Sequence, residues 1–434
     1  MNKEILINVG NADTRVALVE DDSLVEFYLE KRNPEGIAGN IYRGRISSVL
    51  PGIQAAFVDI GLDRNAFLYV DDINAGFSED EDDVYDGTGF IAGNRDFAIE
   101  DVLKAGQEIT VQVIKEPIGT KGPRLTTSIT LPGRYLVFMP GADYTGISRR
   151  IEDERERAFL KNSLERIKPE GTGLIARTAA EGKTVADLER ELQFLAKLWE
   201  NIRQREHSGP VPRCIHKDFN LVYRSVRDLF SWDINRFVVN DRQQYEKVID
   251  LVEMMSPSLK ERVEYVADQY DIFERHDINS ELAKALCRKV WLKSGGYIVI
   301  DKSEALYVID VNTGKYVGKS SFEETIFRTN LEAAKEIAKQ LRLRDIGGII
   351  IIDFIDMKES EHRHAVSHAL KSELKKDRTK TVVVGMTGLG LIEMTRKKVR
   401  QELYSALTTE CPRCGGSGRL IRENGTAISV VDNR

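Results

Sequence analysis

The chain has 434 residues, 41% of them hydrophobic and 30% charged, enough to bury several cores and more than a single domain usually holds. No window approaches ~20 uninterrupted apolar residues, and the opening MNKEILINVG lacks the layout of a secretory leader, so the expectation is a cytoplasmic protein without a membrane span. The net charge is −6, but residues 71–101 hold eleven Asp and Glu against Arg95 alone, so that segment carries −10 and the remainder −6 − (−10) = +4. One acidic insertion masks a mildly basic chain, and the overall sign does not exclude a nucleic-acid partner.

In chain order, ILINVGNADTRVALVEDDSLVEFYLEK alternates apolar and polar residues around Asn and Asp turns and predicts a small antiparallel meander. From Gly39 to the strand GQEITVQVIKEP, short strands separated by Gly and Pro predict a small closed β-barrel, interrupted by an acidic loop at 74–98 that is expected to be mobile. A mixed segment follows to about Arg213. In it, Val185, Leu188, Leu192, Leu195, Trp199 and Ile202 recur at helical spacing and mark an amphipathic, core-packing helix. HSGPVPRC, residues 207–214, reads as a Pro-containing linker. Beyond it helices and strands alternate, and from about 280 the α/β pattern is plain. GGYIVIDKSEALYVIDVNTG predicts a hairpin, SFEETIFRTNLEAAKEIAKQLRLRDIGG a long helix opened by a capping box from Ser321 to Glu324, and GGIIIIDFIDM a strand buried on both faces. A second helix over HRHAVSHALKSELKKD and a strand over KTVVVGMT complete it.

The chemistry concentrates at two strand ends. Asp310 and Asn312, two apart, share one face of a strand, and Asp353 follows four isoleucines directly. If these strands are neighbours, both carboxylates enter one crevice, each raises the other's pKa, and a hard divalent cation resolves the conflict. Mg²⁺ suits one or two carboxylates plus several waters, and Asn312 could hydrogen-bond an attacking water or steady a carboxylate. The alternative is that Asp310 and Asp353 cap strand ends while Asn312 begins a turn.

CPRCGGSG offers two thiolates, Cys411 and Cys414, at zinc spacing. Structural zinc needs four ligands and Cys214 and Cys287 are isolated, so two copies of the chain could share one Zn²⁺, which predicts a homodimer; a redox pair is the alternative. In the barrel, Phe57 and Phe67 are either core residues or the stacking faces that an OB-fold presents to single strands, with Arg43, Arg45, Lys115 and Lys121 as local positive charge. His362, His364 and His368 read as a solvated helix face.

The segments GNIYRGRISSVLPGIQAAFVDIGLDRNAFL, GISRRIED, GLIARTAA, ALYVIDVNTG, EETIFRTNLEAAKEIAKQLRLRDIGGIIIIDFIDM, IEMTRKKVR and CPRCGGSG, in this order over nearly the whole chain, resemble the catalytic part of the ribonuclease E and ribonuclease G family. VNTG and EMTRKK resemble the ribonuclease G branch. The resemblance implies a multidomain α/β chain. Residues 1–35 with 215–280 would form a non-catalytic RNase H-like domain, with an OB-fold RNA-binding domain at 36–125 and a 5′-sensor domain at 126–214 inserted in it. A DNase I-like catalytic domain at 281–400, a zinc-link at 401–418 and a short tail at 419–434 would follow.

It also implies an endoribonuclease that cuts single-stranded, A/U-rich RNA by Mg²⁺-assisted hydrolysis, leaving a 5′-phosphate and a 3′-hydroxyl, in ribosomal RNA maturation and mRNA decay. On that pattern Asp310 and Asp353 hold the Mg²⁺ and Asn312 assists. A 5′-monophosphate would bind at Gly133, Val137, Arg177, Thr178 and Lys380, where Lys380 replaces an Arg and keeps the charge without the planar fork. Phe57, Phe67 and Lys121 would contact RNA. Few residues follow Cys414, so the resemblance favours a zinc-linked dimer over a tetramer. Two other classes compete: a non-catalytic, zinc-bridged RNA-binding assembly factor, which would bind RNA without metal-dependent turnover, and a DNA-directed phosphodiesterase, since stacking on Phe does not read the 2′-hydroxyl.

Overall fold

The protein is described here from a computed structural model that covers residues 2–31, 36–73, 98–117, 122–267, 272–315 and 322–414. Lys121, the capping Ser321, the tail at 419–434 and, apart from Ala98, the acidic loop at 74–98 lie outside the described residues. The chain divides into two compact units, Met1–Ser23 with Tyr28–Asp277, and Leu24–Phe27 with Ile278–Arg434. Among the described residues no helix is long and apolar enough to cross a membrane.

The chain opens on the meander β1 (Lys3–Val9), β2 (Asp13–Glu20) and β3 (Ser23–Lys31), turned at Asp21 and Asp22, which both adopt positive φ as a short polar side chain can. Next come β4 (Ile41–Leu50), β5 (Ala55–Asp59), β6 (Ala66–Tyr69), β7 (Glu108–Lys115) and β8 (Arg124–Thr126). β4 pairs with both β5 and β7, and the order β4-β5-β6-β8-β7 closes a five-stranded, OB-like barrel. Ile46, Val58, Leu68, Val111 and Leu125 fill it.

A four-stranded sheet, ordered β11-β12-β10-β9, is built from β9 (Leu131–Pro132), β10 (Leu136–Met139), β11 (Thr145–Ile147) and β12 (Gly173–Ala176). The helix Val185–Glu206 buries Leu188, Leu192, Leu195 and Ile202 in its core, the stripe read from the sequence. Residues 207–214 are not a bare linker: β13 (Arg213–His216) pairs with the first half of β4, whose second half belongs to β5. Finally β14 (Arg236–Val239) runs parallel to β1, with Phe237 opposite Ile5, and β15 (Val263–Tyr265) joins it, giving the order β15-β14-β1-β2-β3.

The second unit holds a six-stranded sheet of β16 (Lys289–Trp291), β17 (Tyr297–Lys302), β18 (Leu306–Asn312), β19 (Gly348–Asp353), β20 (Thr381–Met386) and β21 (Leu391–Arg396). Its order is β16-β17-β18-β19-β21-β20, and β18–β19 is the parallel pair, joined through the helix Phe322–Leu343. That helix and Ser360–Leu374 pack Ala333, Ile337, Leu341, Val366 and Leu370 against Ile298, Ile309, Val311, Ile350 and Ile352. All these strand residues point to one face, so the expectation of a strand buried on both faces fails for β19. Ile350 and Ile352 are fully buried, but Ile349 between the turn and the core is 50% exposed. The histidine reading also needs correction, since His362 is half-buried with its ring stacked 4.1 Å from Phe327, while His364 and His368 are exposed.

Candidate active site

On the parallel pair β18–β19, Asp310 lies directly opposite Asp353. Their neighbours Ile309, Val311 and Ile352 face the helices, so alternation turns Asp310, Asn312 and Asp353 to the open side of the sheet. Adjacent strands are about 4.8 Å apart, which brings the carboxylates into one exposed site at the ends of both strands. Asn312 Nδ2 donates to Asp310 Oδ2 at 2.8 Å and fixes that carboxylate's orientation. The Asp353 carboxyl is raised above the usual carboxylate range, first by partial burial and then by the charges of Asp310 and Asp356. Asp356 is absent from the sequence reading, although the DFID spacing carried the signal.

Each strand end is held from behind. Gly314 has φ +56°, and a Cβ there would lie 2.6 Å from the Gly295 carbonyl oxygen, so only glycine lets the chain leave β18 at this point. Past β19, the fully buried Asn330 donates to the Ile355 carbonyl at 2.8 Å and accepts from the Ile355 N–H at 3.1 Å. An amide side chain matches a peptide unit at both ends, and this clamp steadies the segment from Asp353 to Asp356. Sequence reasoning missed Asn330 because an Asn within a helix carries no signal that its partner lies beyond the next strand.

The donor set fits a hard cation. All three facing groups present oxygen, and the partial burial and neighbouring negative charge that raise Asp353 are both offset by a divalent charge. Among the described residues no three His, Cys, Asp or Glu side chains form a protein-only metal cage. An ion here would keep most of its shell as water, the usual situation of Mg²⁺ and not of zinc.

On the barrel, Phe57 and Phe67 are cross-strand partners with ring centroids 4.9 Å apart, edge to face, and Tyr69 continues the row at 4.9 Å. Ala56, Val58, Ala66 and Leu68 occupy the interior, so the two Phe are half-buried outside the core. The local charge differs from the expectation. Arg43 is engaged by Glu206 at 3.1 Å and Arg45 by Glu108 at 3.3 Å, acids that neutralise both. Arg124 stands beside these rings, opposite Phe67 and 5.0 Å from the Tyr69 ring, but it too is paired, with Asp72 at 2.7 Å, and the exposed Lys115 is its strand neighbour.

The profile of the Ribonuclease E/G family matches residues 130–399. The chain belongs to the ribonuclease E/G family. It is 44% identical to ribonuclease G of Escherichia coli K12 over 425 residues, 97% of this chain and 85% of that protein. Ribonuclease G of Haemophilus influenzae is also 44% identical, over 417 residues, 96% of this chain and 84% of that protein. Against E. coli ribonuclease E the identity is 38% over 433 residues, 99% of this chain and 40% of that protein. Similarity is thus higher to these ribonuclease G proteins than to ribonuclease E.

In this ribonuclease E/G family member, the structure brings Gly133, Arg177 and Thr178 together. Arg177 Nη1 donates to the Gly133 carbonyl, its Nη2 to Asp228 at 2.8 Å, and the Thr178 hydroxyl sits 3.0 Å from that of Ser148. Burial pushes Asp228 upward, but Arg227 and Arg177 outweigh it and hold its carboxyl well below the usual range. Gly133 itself is required by Glu191, whose carboxyl takes the N–H groups of Arg134, Tyr135 and Leu136 at 2.6–2.7 Å and would meet a Cβ on residue 133 at 2.7 Å. Val137 lies on the adjacent strand with its side chain buried against Met139 and Ile175, so only its main chain is available. Lys380 is exposed and belongs to the second unit.

Cys411 is exposed and Cys414 half-buried in a turn after the helix Leu403–Leu407, and none of the four cysteines is in a disulfide.

Proposed function

We propose that this chain, an endoribonuclease by its family, hydrolyses single-stranded, A/U-rich RNA with Mg²⁺ held by Asp310 and Asp353. The observation that carries this reading is the in-register pairing of the two aspartates on the uncovered face of the sheet. Bound there, Mg²⁺ would supply a Lewis acid for a phosphate oxygen and an acidified water. The chain's own groups do the rest. Asn312 orients the Asp310 carboxylate by donating to Oδ2, and the Asn330 clamp holds Asp353 at its station. Asp356 adds negative charge beside Asp353, which raises that carboxyl and would also attract a divalent cation to the site.

Phe57 and Phe67 stack bases of the RNA, in our reading, and Lys121 contributes charge to its binding. Stacking on aromatic faces tolerates any base and requires unpaired strands, which supports a single-stranded substrate. Arg177 and Thr178 supply a guanidinium and a hydroxyl to a 5′-monophosphate, with Gly133 and Val137 contributing main chain. Two copies share one Zn²⁺ through Cys411 and Cys414 of each, because zinc takes four ligands and one chain offers two there. Ribosomal RNA precursors and mRNA in the cytoplasm are the proposed targets.

The test compares matched 5′-monophosphorylated and 5′-triphosphorylated A/U-rich oligomers with and without Mg²⁺. Internal cleavage that needs Mg²⁺, gives 5′-phosphate products and is faster on the monophosphate supports the reading. RNA binding without metal-dependent turnover would instead identify a non-catalytic assembly factor, and equal cleavage of an all-deoxy oligomer a general phosphodiesterase. Zinc content and solution mass test the dimer, with one zinc per two chains expected.

A further inference from the structure

The open face of the second sheet carries, besides the aspartates, a cluster that the proposed mechanism does not use. Register places Trp291 opposite Tyr297 and Tyr297 opposite Asn312, so the three share the face and a single row across β16, β17 and β18. The rings of Trp291 and Tyr297 are 5.3 Å apart, edge to face. Lys289 Nζ lies 4.0 Å from the centroid of the first and 3.5 Å from that of the second, a cation held against two aromatic faces. Lys289 also shares the next row, through Val299, with Asp310 and Asp353.

Trp291 is 56% exposed, and its ring lies outside the hydrophobic core of this unit. An exposed indole that orders a lysine and stands two strands from Asp310 and three from Asp353, roughly 10 to 14 Å across the sheet, has the make-up of a nucleotide subsite. The charge argument points the same way. Two aspartates repel a polyanion, and Lys289 is the cation on their own row that offsets this for a phosphate next to the one being cut.

We propose that Trp291 and Tyr297 stack a base flanking the scissile phosphate while Lys289 contacts the adjoining phosphate, a second RNA-binding site distinct from the barrel aromatics. The inference rests on the endoribonuclease reading and adds to it the place of one nucleotide. Trp291 is a substrate-binding residue here and takes no part in bond making.

The experiment steps a single abasic nucleotide through the positions flanking the cut in a monophosphorylated A/U-rich oligomer, for the wild type, Trp291→Leu and Trp291→Phe. Leu keeps apolar cover without a π face, whereas Phe keeps the face. The expected result is a KM about 10-fold higher for Trp291→Leu with kcat nearly unchanged, and recovery by Trp291→Phe. At one position the abasic change should cost the wild type a similar factor and cost Trp291→Leu nothing further. Unchanged KM in Trp291→Leu, or losses that simply multiply at every position, would overturn the proposal, as would a fall in solution mass with KM intact, which would assign the cluster to a contact between copies. A wild type that cuts no RNA at all refutes the underlying endoribonuclease reading and is thereby told apart from failure of the subsite.

Discussion

Asn330 and Ile355 are locked by two hydrogen bonds between a buried side-chain amide and a main-chain unit 25 residues away. The clamp joins the long helix to the loop that carries Asp356, directly beyond Asp353. Its consequence is mechanical: the segment from Asp353 to Asp356 is steadied through the main chain of Ile355.

Asn330→Ala should therefore leave the Ile355 N–H and C=O without these partners, at about 1–3 kcal/mol. Calorimetry should show a lowered Tm, and kinetics a lower kcat with KM little changed, because the proposed RNA-stacking residues lie elsewhere. A variant with wild-type kcat would show that the loop after β19 needs no such tether.

Asp353→Asn removes one of two proposed metal ligands and should lower kcat by at least ~100-fold while retaining RNA affinity. Without metal its Tm should equal or exceed that of the wild type, since the repulsion from Asp310 and Asp356 is lost. Equal cleavage by both proteins would sink the site assignment.

Phe57→Ala and Phe67→Ala should each weaken RNA binding by roughly 1–3 kcal/mol, about the worth of one stacked base. Both rings stand outside the barrel core, so the change in Tm should be far smaller than that of Leu68→Ala, whose side chain is fully buried within it. Fluorescence anisotropy with a labelled single strand, alongside melting curves, separates the two effects.

Acid should weaken the first unit through Asp228. Its carboxyl is held below the usual range, so its contribution is complete above the unfolded value near ~3.9 and is lost as pH falls from there through the lower folded value. Urea unfolding between pH 5 and pH 2 should show stability falling with pH. Asp228→Asn should be less stable at neutral pH, where Arg177 and Arg227 lose their partner, and flatter across the acid range. An identical slope in both proteins would exclude Asp228 as the titrating group.

Much of the site was legible one strand at a time. The two-residue spacing of Asp310 and Asn312 put them on one face, the helical stripe of 188–202 marked a core, and the short strands between Gly and Pro marked the barrel. These readings need only the period of a strand or helix, which is a property of neighbouring residues. The errors arose where a partner came from afar. Arg43 and Arg45 read as free charge because Glu206 and Glu108 are distant in the chain, and Arg177 likewise hid its pairing with Asp228.

The sequence by itself determined which side chains end the strands, which alternate outward, and to which family the motifs point. Tertiary structure alone decided that β18 lies beside β19 with residues 310 and 353 in register, that helices cover one face of that sheet and leave the other open, and that Trp291 and Lys289 join the same face. The physical reason is that alternation is fixed by local backbone geometry, whereas strand order and the burial of a whole face are set by contacts between segments whose separation along the chain carries no record of their distance in space.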